Sequence, residues 1–351
     1  MDKIRIAING FGRIGRSAFK IALENPELEV VAINDLTDPD VLAHLLKYDS
    51  IYRNYNRVVE FDNKHEKAND QAYSVGTLLV DKQKFSVFAE KDPALLPWKD
   101  LDIDVVLEAT GRFTTSELAS AHLKAGARKV IISAPAKDKG ATPTFIIGVN
   151  HDKYDKQNII SNASCTTNCI TPVAAILQSK FGIKKMMMST IHGYTVEQNL
   201  VDGPPPPLHK DLRRARAAAI NIVPTTTGAT IAASEALPEL KGIFGGTAFR
   251  VPVPVGSLSD FTALLNKQVT VEEVNQAFID ASKQPLWKGV LAVTNDPLVS
   301  SDIIGNPHSS VIDLSLTQVV QGDLVKIVAW YDNEFAYSNR LVEQALIVGK
   351  T

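Results

Sequence analysis

The stretch that most constrains this chain lies near its start. "IRIAINGFGRIGR" runs from a β-branched apolar segment through Gly10-Phe11-Gly12-Arg13-Ile14-Gly15 into a helical pattern. The glycines allow a tight turn and a close approach of backbone to a pyrophosphate, which the helix N-terminus then faces. The next strand pattern ends in "INDL", placing Asp35 about twenty residues beyond Gly15, the spacing of a ribose-binding acid. A carboxylate there accepts hydrogen bonds from the adenine ribose hydroxyls and repels a 2′-phosphate. Together these residues predict a dinucleotide site that takes NAD in preference to NADP. The competing readings are a glycine-rich turn that binds nothing and, for Asp35, a strand-end cap.

The pattern that follows extends this start into a fold. "EVVAI" (29–33), "IDVVLEA" (103–109) and "KVIIS" (129–133) read as strands buried on both faces, and "RIGRSAFKIALEN" and "TSELASAHLKAGA" as helices between them. Such alternation predicts an α/β, Rossmann-type, doubly wound parallel sheet. From Cys165 onward the strands lengthen and become amphipathic: "KKMMMSTIH", "TAFRVPVPV" and "DLVKIVAWYD". These predict a C-terminal α+β domain with a largely antiparallel sheet, covered by helices such as "VEEVNQAFIDASK". The expected division is a dinucleotide-binding domain over 1–164 and a catalytic domain over 165–334, with a C-terminal helix over 335–351 packing back onto the first. The Pro-rich stretch 202–219 is too polar for core and is expected to be a long, ordered, functional loop.

The overall balance excludes several classes. A net charge of −2 with mixed signs gives no global case for nucleic acid or membrane as a partner. The opening residues carry no Arg-rich leader and no apolar run of signal length, and no segment approaches a membrane span. With only two cysteines, no disulfide framework is available, so a cytoplasmic, reducing setting is expected.

Both cysteines lie in "ISNASCTTNCITP". Two thiols do not make a four-ligand zinc set, and cysteines one turn apart on a helix are poorly placed for a disulfide. Cys169 reads as a buried thiol. Cys165 opens the helical pattern, where the helix dipole favours thiolate, and Ser164, Thr166 and Thr167 make its surroundings polar. A nucleophilic thiol wants a base, and His192, at the end of a strand beside Gly193, is the histidine best placed to supply one. Spacing alone leaves both residues open to the plainer reading of core side chains.

In order along the chain, "NGFGRIGR", "NASCTTNC", "TIHGYT", "HKDLRRARAAA", "IVPTTTGA", "AFRVP" and "WYDNEFAYSNR" resemble the phosphorylating glyceraldehyde-3-phosphate dehydrogenases of the bacterial and organellar type. The resemblance covers essentially all 351 residues. It implies that Cys165 attacks the aldehyde of glyceraldehyde 3-phosphate, that His192 acts as base, and that inorganic phosphate cleaves the thioester. It implies that the Cys165 amide and the His192 ring stabilise the oxyanion. Thr195 and Arg250 would hold the substrate phosphate. Ser164, Thr166, Thr227 and Gly228 would hold the attacking phosphate, with Arg213 between the two. Gly10, Gly12, Arg13, Ile14, Gly15, Asp35, Lys91 and Ser133 would line the dinucleotide site, and Asn333 would hold the nicotinamide carboxamide. A homotetramer is also implied.

The chain departs from that pattern in places. Tyr52-Arg53 stands where His-Gly is usual, Lys91 replaces an arginine, "VPVGSLSD" replaces "TPNVSVVD", and Ala336 replaces a glycine. Leu208 replaces a proline common in strict NAD users, so some weaker NADP use is expected. The nearest rival is erythrose-4-phosphate dehydrogenase, against which Thr195 and "TTTGA" argue. A non-catalytic dinucleotide-binding or nucleic-acid-binding protein is disfavoured by the intact Cys165–His192 pair.

Overall fold

A computed structural model describes residues 3–65, 74–138, 140–205 and 211–351. The chain divides into two compact units, one of residues 1–145, 153–163 and 338–351, the other of 146–152 and 164–337.

The first unit is built on an eight-stranded sheet. Its order is Ile159–Ser161, Lys129–Ile132, Val105–Glu108, Ile4–Asn9, Leu28–Asn34, Gln83–Phe88, Gly76–Val80 and Val59–Asp62. The first six strands are parallel. Their apolar runs are buried on both faces because each face carries its own core. Ile6, Ile8, Val105 and Leu107 pack on one side with Phe11, Phe19 and, from the helix Phe335–Gly349, Leu341 and Ala345. Ala7, Val106, Val130 and Ile132 pack on the other with Trp98 and Ala119. The chain leaves Ile4–Asn9 in one direction and returns on its other side at Val105–Glu108. The carboxyl ends of these two strands therefore flank the switch point where such sheets bind ligands.

The last two strands are antiparallel, an extension the sequence reading lacked. A two-residue turn at Asp81-Lys82 joins Gly76–Val80 to Gln83–Phe88, with φ of +49° and +71°. Hairpin turns of this kind favour Asn-Gly or Asp-Gly, so Asp-Lys gave little signal.

The second unit has a sheet in the order Val223–Thr225, Phe244–Val251, Ile183–Gly193, Ser257–Leu265, Leu324–Tyr331, Ser310–Asp313 and Leu291–Thr294. Pairing is antiparallel except between Ile183–Gly193 and Phe244–Val251, and between Leu291–Thr294 and Ser310–Asp313. The helix Cys165–Phe181 packs on this sheet, and Val271–Ser282 opens with a capping box between Thr270 and Glu273. The described part of the 202–219 loop contains short 3-10 turns at Leu212–Ala215 and Ala218–Ile220. Leu208 and Lys210 lie outside the described residues.

Candidate active site and dinucleotide floor

The glycine loop of the first unit is shaped by close backbone packing. Gly10 has φ of +92°, and a Cβ there would lie 2.8 Å from the Ala109 carbonyl carbon. A Cβ on Gly15 would sit 2.0 Å from the Gly10 oxygen. At Gly12, by contrast, a Cβ would meet nothing within 4 Å. Gly12 is also the N-cap of Arg13–Leu23 and offers no side chain to the first amides. An open loop face beside uncapped amides fits the pyrophosphate of a dinucleotide. Asp35 closes the loop: its carboxylate accepts from the Phe11 amide at 2.7 Å and the Thr37 amide at 3.0 Å.

The other residues expected here are placed less uniformly. Ile14 packs against the core. Arg13 donates to both Asp49 oxygens, at 3.2 and 3.3 Å, with its guanidinium 5.7 Å from the centre of the Tyr52 ring. Ser133 follows Lys129–Ile132, with its amide bonded to the Glu108 carbonyl at 2.9 Å. Lys91 is exposed. Arg53 keeps a left-handed backbone at φ +67°, which accounts for the glycine usual at that position.

In the second unit, Ser164 caps the helix that Cys165 begins, accepting from the Thr167 amide at 3.1 Å. Cys165 Sγ lies 3.4 Å from His192 Nε2. His192 reaches it from the end of Ile183–Gly193, where it is paired in register with Arg250. His192 Nδ1 is 2.7 Å from the Gly193 carbonyl, which accepts its proton and leaves Nε2 as the basic nitrogen facing sulfur. Burial, aided by Arg250, pushes the His192 pKa down to about 3, so the ring enters the reaction unprotonated. Burial also raises the Cys165 thiol, opposed first by Arg250 and then by Thr166. Helix placement alone therefore does not make the thiolate expected from sequence; the neutral imidazole 3.4 Å from the sulfur is the group placed to accept its proton.

Cys169 is fully buried, and burial lifts its thiol to about 12. Brief alkylation with iodoacetamide should accordingly label Cys165, which is partly exposed, and leave Cys169 untouched at and above neutral pH. Peptide mapping checks this, and preferential labelling of Cys169 would contradict it.

Two arginines stand beside this pair. Arg250 Nη1 donates to the Gly193 carbonyl at 3.1 Å and to Thr195 Oγ1 at 3.2 Å, and Nη2 pairs with Glu197 at 3.2 Å. Its Nε and Gln198 Nε2 are buried and lack partners, so two donors await an acceptor. The second arginine is not the one expected. Arg213 is exposed and bonded to Asp211 at 2.9 and 3.0 Å. Its neighbour Arg214 is buried, bonded to Thr225 Oγ1 at 3.1 Å and paired with Glu197. Successive residues of a 3-10 turn point in different directions, and "LRRAR" does not say which arginine faces inward.

Thr227 Oγ1 accepts from the Ala229 amide at 3.2 Å, and Gly228 begins the helix Ala229–Ala236 without a side-chain cap. Asn333 Oδ1 accepts from the Gly256 amide at 3.1 Å and the Ser257 hydroxyl at 3.0 Å, which fixes the amide and keeps its NH2 as a donor. Tyr331 went unnoticed in the sequence. Its hydroxyl lies 3.0 Å from Thr166 Oγ1 and 2.8 Å from Thr190 Oγ1, so it anchors the threonine beside the thiol.

A doubly wound sheet with a dinucleotide-fitting loop, in a chain that also sets a cysteine 3.4 Å from an imidazole, fits the class of dinucleotide-dependent dehydrogenases. Comparison with known proteins narrows the class. Residues 4–116 match the family model "Glyceraldehyde 3-phosphate dehydrogenase, NAD binding domain", and 164–333 match the corresponding C-terminal domain. The chain is 51% identical over 349 residues to glyceraldehyde-3-phosphate dehydrogenase 1 of Bacillus subtilis, covering 99% of this chain and 98% of the relative. It is 50% identical over 347 residues to the glyceraldehyde-3-phosphate dehydrogenase of Geobacillus stearothermophilus, covering 98% of each. The chain belongs to the glyceraldehyde 3-phosphate dehydrogenase family. Its cofactor is NAD, and neither the erythrose-4-phosphate nor the non-catalytic reading is favoured. Among the described residues no helix is long and apolar enough to cross a membrane.

Proposed function

We propose that this chain is a glycolytic and gluconeogenic enzyme that converts glyceraldehyde 3-phosphate and inorganic phosphate to 1,3-bisphosphoglycerate. The observation that carries the reading is the 3.4 Å approach of Cys165 Sγ to His192 Nε2, beside the buried Arg214 and the part-buried Arg250. Bound NAD supplies the hydride acceptor. Gly10, Gly12, Gly15 and the first amides of Arg13–Leu23 would hold its pyrophosphate, with Ile14 supporting the loop from the core. Arg13, Asp35, Lys91 and Ser133 would line the adenosine side, and Asn333 would donate to the carboxamide.

The thiol proton passes to His192 Nε2 as sulfur bonds to the aldehyde carbon. The Cys165 amide and the imidazolium stabilise the new oxyanion, which takes up the proton. The imidazole then removes that hydroxyl proton as the hydride departs, leaving a thioester on Cys165. Inorganic phosphate attacks the thioester carbon, the C–S bond breaks, and the acyl phosphate leaves with the thiolate restored. Thr195 and Arg250 hold the substrate phosphate. Ser164, Thr166, Thr227 and Gly228 hold the attacking phosphate with Arg214, in place of Arg213. Bidentate guanidinium geometry suits both anions.

Arg250→Ala should cost about 1.5–3 kcal/mol in kcat/KM for the phosphorylated aldehyde, the worth of a charge-assisted hydrogen bond. Unphosphorylated glyceraldehyde should lose far less. Arg214→Ala should raise KM for inorganic phosphate, whereas Arg213→Ala should resemble the parent. Equal losses for both aldehydes, or a phosphate defect in Arg213→Ala alone, would overturn these assignments.

Asp35 favours NAD over NADP because its charge is fixed by two backbone amides. The enzyme acts in the cytoplasm as a homotetramer. Self-association is supported by large apolar side chains left exposed along the second unit, among them Val196, Leu200, Leu212, Ile220, Ile222 and Ile231.

A further inference from the structure

Beneath the glycine loop lies a buried polar cluster that the chemistry above does not use. Asn9, Asn34 and Glu108 are the last residues of three adjacent strands and stand in register, Asn34 opposite Asn9 and Asn9 opposite Glu108. All three are at most 4% exposed, and His122 and Trp98 beside them are wholly buried. Burying such groups is costly unless every one is bonded, and an apolar filling would stabilise the fold as well or better.

The bonds converge on the Glu108 carboxylate from both ends. Trp98 Nε1 donates to His122 Nδ1 at 3.0 Å. An indole N–H has no acceptor role, so the histidine proton sits on Nε2, which faces Glu108 Oε2 at 3.1 Å. The same carboxylate oxygen accepts from Asn9 Nδ2 at 2.5 Å. Its other oxygen accepts from the Thr110 amide at 2.9 Å and from the Thr110 hydroxyl. Asn9 Oδ1 accepts from Asn34 Nδ2 at 2.7 Å, and Asn34 exchanges two bonds with the Glu90 backbone, at 2.8 and 2.9 Å.

Three members, Asn9, Asn34 and Glu108, adjoin a backbone segment assigned to the dinucleotide site, and Asn34 is also bonded to Glu90. Gly10 follows Asn9, Asp35 follows Asn34, and Lys91 follows Glu90. The Ser133 amide donates to the Glu108 carbonyl at 2.9 Å, and the Gly10 amide to the Asn34 carbonyl at 2.8 Å. We propose that the relay Trp98–His122–Glu108–Asn9–Asn34 positions the floor of the NAD site, with His122 and Glu108 as positioning residues for cofactor binding. The proposal rests on the assignment of that floor to NAD.

The test is NAD titration and steady-state kinetics on the full-length enzyme and its His122→Leu, His122→Gln and Trp98→Phe variants. Loss of the imidazole leaves Glu108 short of a donor and Trp98 without an acceptor. His122→Leu should raise Kd and KM for NAD by about tenfold or more, equivalent to about 1.4 kcal/mol. KM for the aldehyde and the NAD-free alkylation rate of Cys165 should stay at parent values. His122→Gln should recover to within about threefold, because its amide both accepts from an indole and donates to a carboxylate. Trp98→Phe keeps the ring packing and removes one donor, so it reports on the relay even where His122→Leu fails to fold; its KM for NAD should rise. Parent-like NAD binding in His122→Leu or Trp98→Phe overturns the proposal, as does a loss shared equally with aldehyde KM and alkylation. A parent enzyme that binds no NAD overturns the cofactor assignment itself, and the relay's role with it.

Discussion

Cys165→Ser should lower turnover by more than about a thousandfold, since a serine hydroxyl at this position is far less acidic than a thiol and the covalent step is lost. The geometry gives no substitute. Cys165 is the thiol 3.4 Å from a base, and Cys169, one turn along the helix, is sealed from solvent with Ser310 bonded to its carbonyl at 2.6 Å. Cys169→Ala should therefore keep activity of the parent's order and show its effect in thermal stability instead. Steady-state rates on the two variants decide the assignment, and substantial turnover by Cys165→Ser would refute it.

The second large effect is expected for His192→Asn, with kcat falling by about 10²–10⁴, the usual worth of a positioned general base. The imidazole is held from two sides, by the Gly193 carbonyl at Nδ1 and by the edge of Tyr331, whose ring centre is 5.9 Å away. Without the base, burial keeps the Cys165 thiol high, so its alkylation should slow at neutral pH and recover only as pH rises. NAD affinity should hardly move. An unchanged alkylation profile would show that His192 does not take the thiol proton.

Legibility of these features followed how local their causes are. The strand–loop–helix start was readable because its glycine spacing falls within one short segment, even though the close approach at Gly10 comes from Ala109 on a neighbouring strand's end. Four of the six parallel strands were readable because burial on both faces forces continuous apolar runs, whereas Gln83–Phe88 and Ile159–Ser161 were not read as strands. Val59–Asp62 is half-exposed and carries no such run, Gly76–Val80 is too short for its apolar residues to stand out, and the turn after it lacks glycine. At the active site, Cys165 announced itself by its helix start and His192 by its strand end. Their contact depends on folding the helix onto the sheet, which no local spacing encodes. The choice between Arg213 and Arg214 is set by the rotation of one short turn and by Glu197, seventeen residues from Arg214. Tyr331 and the Trp98–His122–Glu108 relay were invisible for the same reason: their partners lie far off in sequence and meet only in the folded chain.

The most direct measurement is the appearance of NADH absorbance when the purified full-length protein meets glyceraldehyde 3-phosphate and NAD, with and without inorganic phosphate. The expected result is sustained turnover with phosphate and, without it, a burst of no more than about one NADH per Cys165 followed by a much slower rate, as the thioester waits for its acceptor. Turnover independent of phosphate, or none with phosphate present, would contradict a phosphorylating thiol dehydrogenase.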